Sequence, residues 1–261
     1  MTAHRVTARN DAEQSENKIH DDAVARQYGF RGGLVPGVTV YGYLTWAPAS
    51  TWGEVWLERG ALEARFVKPV YAGDDVDVRA EPSDDGRLAL TATNQGGEIC
   101  AVGSAWLPEA AAIVSVPFER VPLPAPDARP PAGEDTLAAG TPLGTVDRTW
   151  LAEDRAEYLD RLGDDLDLYD RLGVAHPGGL IRAANEVLAR TVRLGPWIHV
   201  SSASTHHGLV PDGAIVTTYA VVTDRYERKE HRFVDLDVVS VVDGRPVLSV
   251  QHTAIYQPRP G

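Results

Sequence analysis

The sequence predicts an α+β protein built from two tandem units, each with a central helix packed on an antiparallel sheet, and three observations carry that expectation. The chain has 261 residues, long for one typical domain and comfortable for two of about 110 to 130 residues each. Between Pro117 and Pro142 the composition shifts to Pro, Ala and Gly, with Pro122, Pro124, Pro126, Pro130 and Pro131 crowded together, so this stretch cannot lie in a sheet or helix interior. On either side of it, landmarks recur in the same order. Pro36-Gly37 and Pro177-Gly178, 141 positions apart, each open an apolar helical segment. Acidic-Gly turns follow at Gly73-Asp74 and Asp212-Gly213, with the glycines 140 apart, and each half closes on a hairpin. Residues 1–116 therefore form the first unit, 117–145 a linker and 146–261 the second unit.

Taken in order, each unit starts with a short strand and a polar loop. The helices rest on apolar spacing, Val38, Tyr41, Leu44 in the first unit and Leu180, Ala183, Ala184, Val187, Leu188 in the second. Strands are expected from Gly73 to Val78, Leu88 to Thr93 and Ile99 to Leu107, and again from Asp212 to Val216, Phe233 to Val241 and Val247 to Tyr256, with turns at Gln95-Gly96-Gly97 and Asp243-Gly244. One helix on one sheet makes a two-layer unit. Two such units can pair their sheets side by side and so satisfy exposed edges; any edges left over leave room for a homodimer.

Charge and composition narrow the partners. A net charge of -12 and a pI near 5.1 would repel a nucleic-acid backbone or an anionic membrane surface. Cys100 is the one cysteine, which rules out an internal disulfide and a multi-cysteine metal site. The first fourteen residues carry no apolar core of a targeting signal, and no apolar stretch reaches the length of a membrane span. A cytoplasmic protein acting on a small molecule is the expectation.

The most informative stretch runs Ser15-Glu16-Asn17-Lys18-Ile19-His20-Asp21-Asp22, then Tyr28-Gly29-Phe30 and Gly32-Gly33-Leu34-Val35-Pro36-Gly37. It resembles the hydratase signature of the MaoC-like (R)-specific enoyl hydratases: an Asn, an aliphatic-His pair, an acidic residue two positions on, and a Gly-Phe-x-Gly turn before the helix of a hotdog unit. The segment Ala64 to Asp74 is similar to the strand and turn that follow in the same family. The matches span most of residues 4–107, while the second half shares only the layout, so the resemblance implies a double hotdog. It further implies hydration or dehydration of an acyl thioester on coenzyme A or an acyl carrier protein, with no metal and no cofactor. In that chemistry His20 handles the proton, Asn17 and Ser15 orient it or a water, and Gly37, Tyr41 and Asp22 contact the substrate or shape its site. Physics independently favours Gly37, because a helix N-terminus presents free N–H donors and a positive dipole end to a developing enolate oxygen.

Two departures matter. The family's catalytic aspartate lies five residues before its histidine, where this chain has Ser15, a hydroxyl that cannot act alone as a general base near neutral pH. Pro36 stands where the family commonly has a His. Glu16, Asp21 or Asp22 could supply the missing carboxylate, with Asp22 matching the family's structural acid. Alternatively, His20 works alone in another reaction such as thioester hydrolysis, isomerisation or cyclisation, or the chain binds a ligand without catalysis. A carboxylate bonded to His20 favours the first reading, a pocket holding only His20 the second, an occluded pocket the third.

Other residues have blander readings. Arg182, Asn185 and Glu186 sit among apolar neighbours on the second helix and need partners or a cavity; structural hydrogen bonding is the expectation, and for His176 a surface or capping role. His206-His207 point to opposite faces of a strand and lack a third ligand. Cys100 alternates with Val102 in an apolar strand, and Trp46, Trp52 and Trp56 have core spacing.

Overall fold

A computed structural model describes residues 2–110, 114 and 119–259; the unit boundary expected at Pro117 lies outside them. The first half contains β1 (Thr2–Thr7), α1 (Asp22–Gln27), α2 (Gly37–Trp52), α3 (Glu54–Arg59), β2 (Ala61–Phe66), β3 (Asp75–Pro82), β4 (Leu88–Asn94) and β5 (Ile99–Trp106). The second contains β6 (Val146–Thr149), α4 (Ala152–Leu162), α5 (Leu168–Leu172), α6 (Pro177–Thr191), β7 (Ile198–His206), β8 (Ile215–Arg228), β9 (His231–Val242) and β10 (Arg245–Gln257). The ten strands make one sheet in the order β1-β3-β4-β5-β2-β7-β10-β9-β8-β6, antiparallel throughout. Read from its own edge, each half has the same strand order. The halves join where β2 pairs with β7, from Ala61 opposite Thr205 to Arg65 opposite Ser201.

The central helices form for different local reasons. Nearly every residue of α2 from Val38 to Ala49 is buried, as expected of a helix enclosed by protein on all sides. By contrast α6 buries one stripe, Leu180, Ile181, Ala184, Val187 and Leu188, and starts with Pro177 at its first turn, where a missing N–H costs nothing. Each fully buried aliphatic side chain in these stripes contributes roughly 1.5–3 kcal/mol. The two helices pack on each other, and a Cβ on Gly178 would lie 2.9 Å from the Gly42 Cα, so the crossing depends on glycine there.

Hydrogen bonds correct one expectation about the repeat. Val35 N–H donates to the Val70 carbonyl and Ala175 N–H to the Val210 carbonyl, both at 2.8 Å, while Gly73 and Gly213 share a φ of +83°. The repeat is therefore 140 residues, and the N-caps Pro36 and His176 correspond. The two Pro-Gly pairs, 141 apart, are offset because Pro36 is an N-cap whereas Pro177 is the first helical residue.

The Pro-rich stretch is packed rather than loose where it is described. Leu137 and Leu143 are fully buried in the core. Gly140 and Leu143 N–H groups donate to the Val222 and Ala220 carbonyls, and Val222 N–H donates to Thr141. A sequence barred from strand interiors by its prolines thus covers part of the β8 edge. Among the described residues, no helix is long and apolar enough to cross a membrane.

Candidate active site

A cavity of about 220 Å³ opens at the junction of the halves. From the first half it takes Asn17, His20, Gly37, Val40 and the chain from Phe66 to Val70; from the second, Asn185, Trp197, His199 and Ile255. Its volume lies below the range usual for drug-sized ligands.

Asn17 caps the 3-10 turn Lys18–His20 by accepting from Ile19 N–H. Its amide also spans the two halves: Nδ2 donates to the Trp197 carbonyl (2.9 Å), and Oδ1 accepts from Trp197 N–H (3.1 Å). His20 follows on the same turn. Its Nδ1 lies 2.7 Å from the Leu34 carbonyl, an acceptor only, so Nδ1 carries the hydrogen and Nε2 is left as a base facing Asn17 Nδ2 at 3.3 Å. Burial pushes the His20 pKa below 6.5; the Leu34 bond and the charge of Asp11 oppose that shift, and Arg182 adds to it. The imidazole is therefore neutral near pH 7, and its unprotonated Nε2 accepts from Asn17 Nδ2 over a long 3.3 Å bond.

Gly37 is the first residue of α2 and is half-exposed between buried neighbours. The N-cap Pro36 offers no side-chain acceptor, and the Pro36 carbonyl takes the Thr39 and Val40 N–H groups. The amides of Gly37 and Val38 have no acceptor in the preceding turn, the usual state of a helix start. Three features thus share one small volume: a neutral base, an amide-clamped loop and a helix N-terminus.

The other sequence candidates lie elsewhere. Ser15 donates to the Asn17 carbonyl (3.3 Å) and does not line the cavity. Tyr41, expected at the substrate, is fully buried in the core with its hydroxyl 2.6 Å from Ser204 Oγ, because α2 turns that position toward the sheet. Asp22 accepts from Gly33 N–H (2.8 Å) and pairs with Arg26 (2.9 Å), which fixes the loop before α2 from outside the cavity. Glu16 pairs with Arg129, and Asp21 caps α1 at Val24 N–H. Among the described residues no carboxylate bonds to His20. An acidic charge that acts on it is that of Asp11, held by Arg182 at 2.7 Å.

His199 and Asn185 enter the cavity wall from the second half, and both have an unpaired buried polar atom, Nδ1 and Oδ1. Asn185 was expected to be structurally bonded; its Oδ1 has no partner among the described residues. His199 is not among the residues the sequence singles out, although β7 carries a signal. The core-facing positions of β7 read His199, Ser202, Ser204, His206 where a sheet facing a core should be apolar. His206 is bonded to the Trp56 carbonyl and His207 to Ser249 on the opposite face. Among the described residues no cluster of three or more His, Cys, Asp or Glu could hold a metal ion. Cys100 is buried outside the cavity, and burial pushes its thiol pKa up.

His176 is completely buried and caps α6: Nδ1 accepts from Gly178 N–H (3.0 Å), and Nε2 faces Asp164 (3.2 Å) and Thr45 (3.3 Å). The position equivalent to the cavity, lined by Ala175, Pro177, Leu180, Leu209 and Val210 together with Leu57 and His206, holds about 10 Å³.

No protein-family model matches the chain, and no curated protein matches it in sequence. Solved structures do match. A MaoC domain protein from Chloroflexus aurantiacus is 13% identical with a TM-score of 0.65, the match covering 99% of this chain and 94% of that one. A conserved hypothetical protein from Mycobacterium tuberculosis, described as having a double hotdog fold, is 17% identical at TM-score 0.61 over 92% and 87%. A dehydratase domain from Pseudomonas fluorescens is 12% identical at TM-score 0.55 over 86% of each chain. The chain has the double hotdog fold found in MaoC-like dehydratases; at these identities the likeness establishes the fold.

Proposed function

We propose that the cavity receives the acyl end of a thioester, carried on coenzyme A or an acyl carrier protein, and that the protein is a lyase hydrating or dehydrating it next to the carbonyl. The observation that supports this most is the neutral His20, with Nε2 unprotonated, beside the open N-terminus of α2. In the dehydration direction Nε2 takes the proton from the carbon next to the carbonyl while the Gly37 amide holds the developing enolate oxygen. The same proton then passes to the leaving β-hydroxyl, the C–O bond breaks, and water departs with a C=C bond formed. One base serves both steps, so no aspartate at position 15 is required. Asn17 positions His20 and locks its loop onto Trp197. The fold shared with dehydratases is consistent with this chemistry, and the small cavity favours short acyl groups.

Thioester hydrolysis is the second reading, favoured by the lack of a carboxylate bonded to His20 among the described residues. There Nε2 would take a proton from water, and free thiol would be released. The deciding experiment offers crotonyl-coenzyme A and longer trans-2-enoyl thioesters to wild type, His20→Ala and Ser15→Asp at equal folded concentration, following both loss of the enoyl group and appearance of thiol. Hydration lost in His20→Ala supports the lyase. Thiol release that depends on His20 transfers the assignment to hydrolysis. If wild type is inert and Ser15→Asp gains hydration, the scaffold serves another reaction; inertness of all three removes the lyase assignment.

A further inference from the structure

His199, the second residue of β7, is 6% exposed, lines the cavity, and leaves Nδ1 without a partner among the described residues. A Cβ built on Gly37 would meet Nδ1 at 2.9 Å, so this nitrogen stands against the start of α2. The other ring nitrogen, Nε2, lies 2.8 Å from Ser202 Oγ, which in turn lies 3.1 Å from Nδ1 of His252. The two imidazoles stack with centroids 4.2 Å apart, and Phe66 presents its edge at 4.7 Å. The ring is therefore held from several sides while one nitrogen remains unused.

A single hydroxyl hydrogen serves both histidines, so the chain of bonds runs in one of two directions. If His199 Nε2 donated, the proton order would leave a buried N–H at His252 Nε2; if His252 Nδ1 donated, the buried N–H would be at His199 Nδ1, and neither atom has a partner among the described residues. A buried N–H with no acceptor is the rarer kind of orphan, and of the two residues only His199 lines the cavity, where a bound oxygen can accept that hydrogen. Running the other way, His252 Nδ1–H donates to Ser202, Ser202 donates to His199 Nε2, and His199 presents an N–H at Nδ1 beside Gly37. Burial, with His252 beside it, keeps this imidazole neutral, its pKa well below 6.5 in spite of the opposing Ser201 backbone. A neutral imidazole is a donor that polarises a carbonyl without giving up its proton.

Building on the acyl-thioester reading of this cavity, we propose that His199 donates from Nδ1–H to the thioester carbonyl oxygen and completes, with the Gly37 amide, an oxyanion site to which both halves of the chain contribute. His20 on one side moves the proton; His199 on the other holds the charge. Ser202 and His252 are positioning residues that set the tautomer.

The test uses two readouts on the full chain. Infrared spectroscopy of bound butyryl-coenzyme A, carbon-13 labelled at the carbonyl and unable to be hydrated, reports polarisation directly; hydration of crotonyl-coenzyme A reports turnover. The expected result is a carbonyl band shifted to lower frequency in wild type and returned toward its solution value in His199→Phe, with kcat down about 10²-fold, as for loss of one oxyanion donor, and KM little changed. Should His199→Phe fail to fold, Ser202→Ala, which keeps the ring, is expected to reverse part of the band shift. An unchanged band and kcat in folded His199→Phe, or an unchanged band in Ser202→Ala where only that variant folds, overturns the proposal while leaving the lyase reading intact. A band shift that depends on His199 in a protein that does not hydrate sinks the lyase reading and keeps the donor. If butyryl-coenzyme A does not bind, both fall.

Discussion

The starts of α2 and α6 occupy equivalent places in the two halves and have opposite fates. At α2 the cap is Pro36, the first amides have no acceptor among the described residues, and a cavity of about 220 Å³ lies before them. At α6 the cap is His176, whose ring occupies the Gly178 amide, Pro177 removes another donor, and about 10 Å³ remains, barely room for one water. The same scaffold position is thus an open cavity in one half and packed interior in the other. What distinguishes them is whether the helix-end donors are satisfied within the protein.

Removing His20 should break this contrast most severely: His20→Ala is expected to lower kcat by about 10²–10⁴-fold, the range for loss of a general base, whereas His176→Gln leaves kcat per folded molecule unchanged. Steady-state kinetics on both variants checks it, and equal losses would mean that the start of α6 also takes part in turnover. Gly37→Ala comes next. Its Cβ would press on His199 at 2.9 Å, so kcat/KM should fall about 10-fold or more, a cost above 1.4 kcal/mol, with the melting temperature as the control for folding.

Acidification separates stability from catalysis. Burial lowers the pKa of His206 to about 4 and of His252 to about 3, against 6.5 when unfolded. The unfolded chain therefore binds more protons in this window. Stability is fully present above pH 6.5 and is lost as pH falls toward 4, by about 1.4 kcal/mol per unit for each such group. Urea midpoints at pH 7 and pH 5 should show the loss, and His206→Gln should flatten the slope. For catalysis, the acid limb of kcat/KM should lie below pH 6.5, because His20 is also depressed. The capped helix is read in stability alone: His176→Gln, which unpairs buried Asp164, should cost about 1–3 kcal/mol, measured by denaturant unfolding.

The repeat, both helices and the hairpins were legible because each is set by local periodicity and turn chemistry; β4 begins at Leu88 and β5 at Ile99 as expected. The loop carrying Asn17 and His20 was legible as a motif. Its second anchor was not, since Trp197 lies 180 positions away and no local pattern announces a bond of that span. Tyr41 has the spacing of a helix residue next to Gly37, but spacing does not say which face meets a cavity and which meets Ser204. His199 was hidden for a related reason: a polar residue in a strand reads as surface until the pairing of β2 with β7 puts it inside. The short helices α4 and α5 were missed because their Asp- and Arg-rich sequence packs through a few residues such as Tyr158, Leu162 and Tyr169.

The pairing of β2 with β7 has a consequence for how such a molecule can change. In a symmetric assembly of identical subunits, every substitution appears at both equivalent positions, so a proline that opens one helix end opens the other as well. Joining the copies in one chain releases that constraint and keeps the two surfaces at the high effective concentration of an intramolecular contact. Specialisation of one end and retirement of the other then become independent events, and the finished site does not dissociate on dilution.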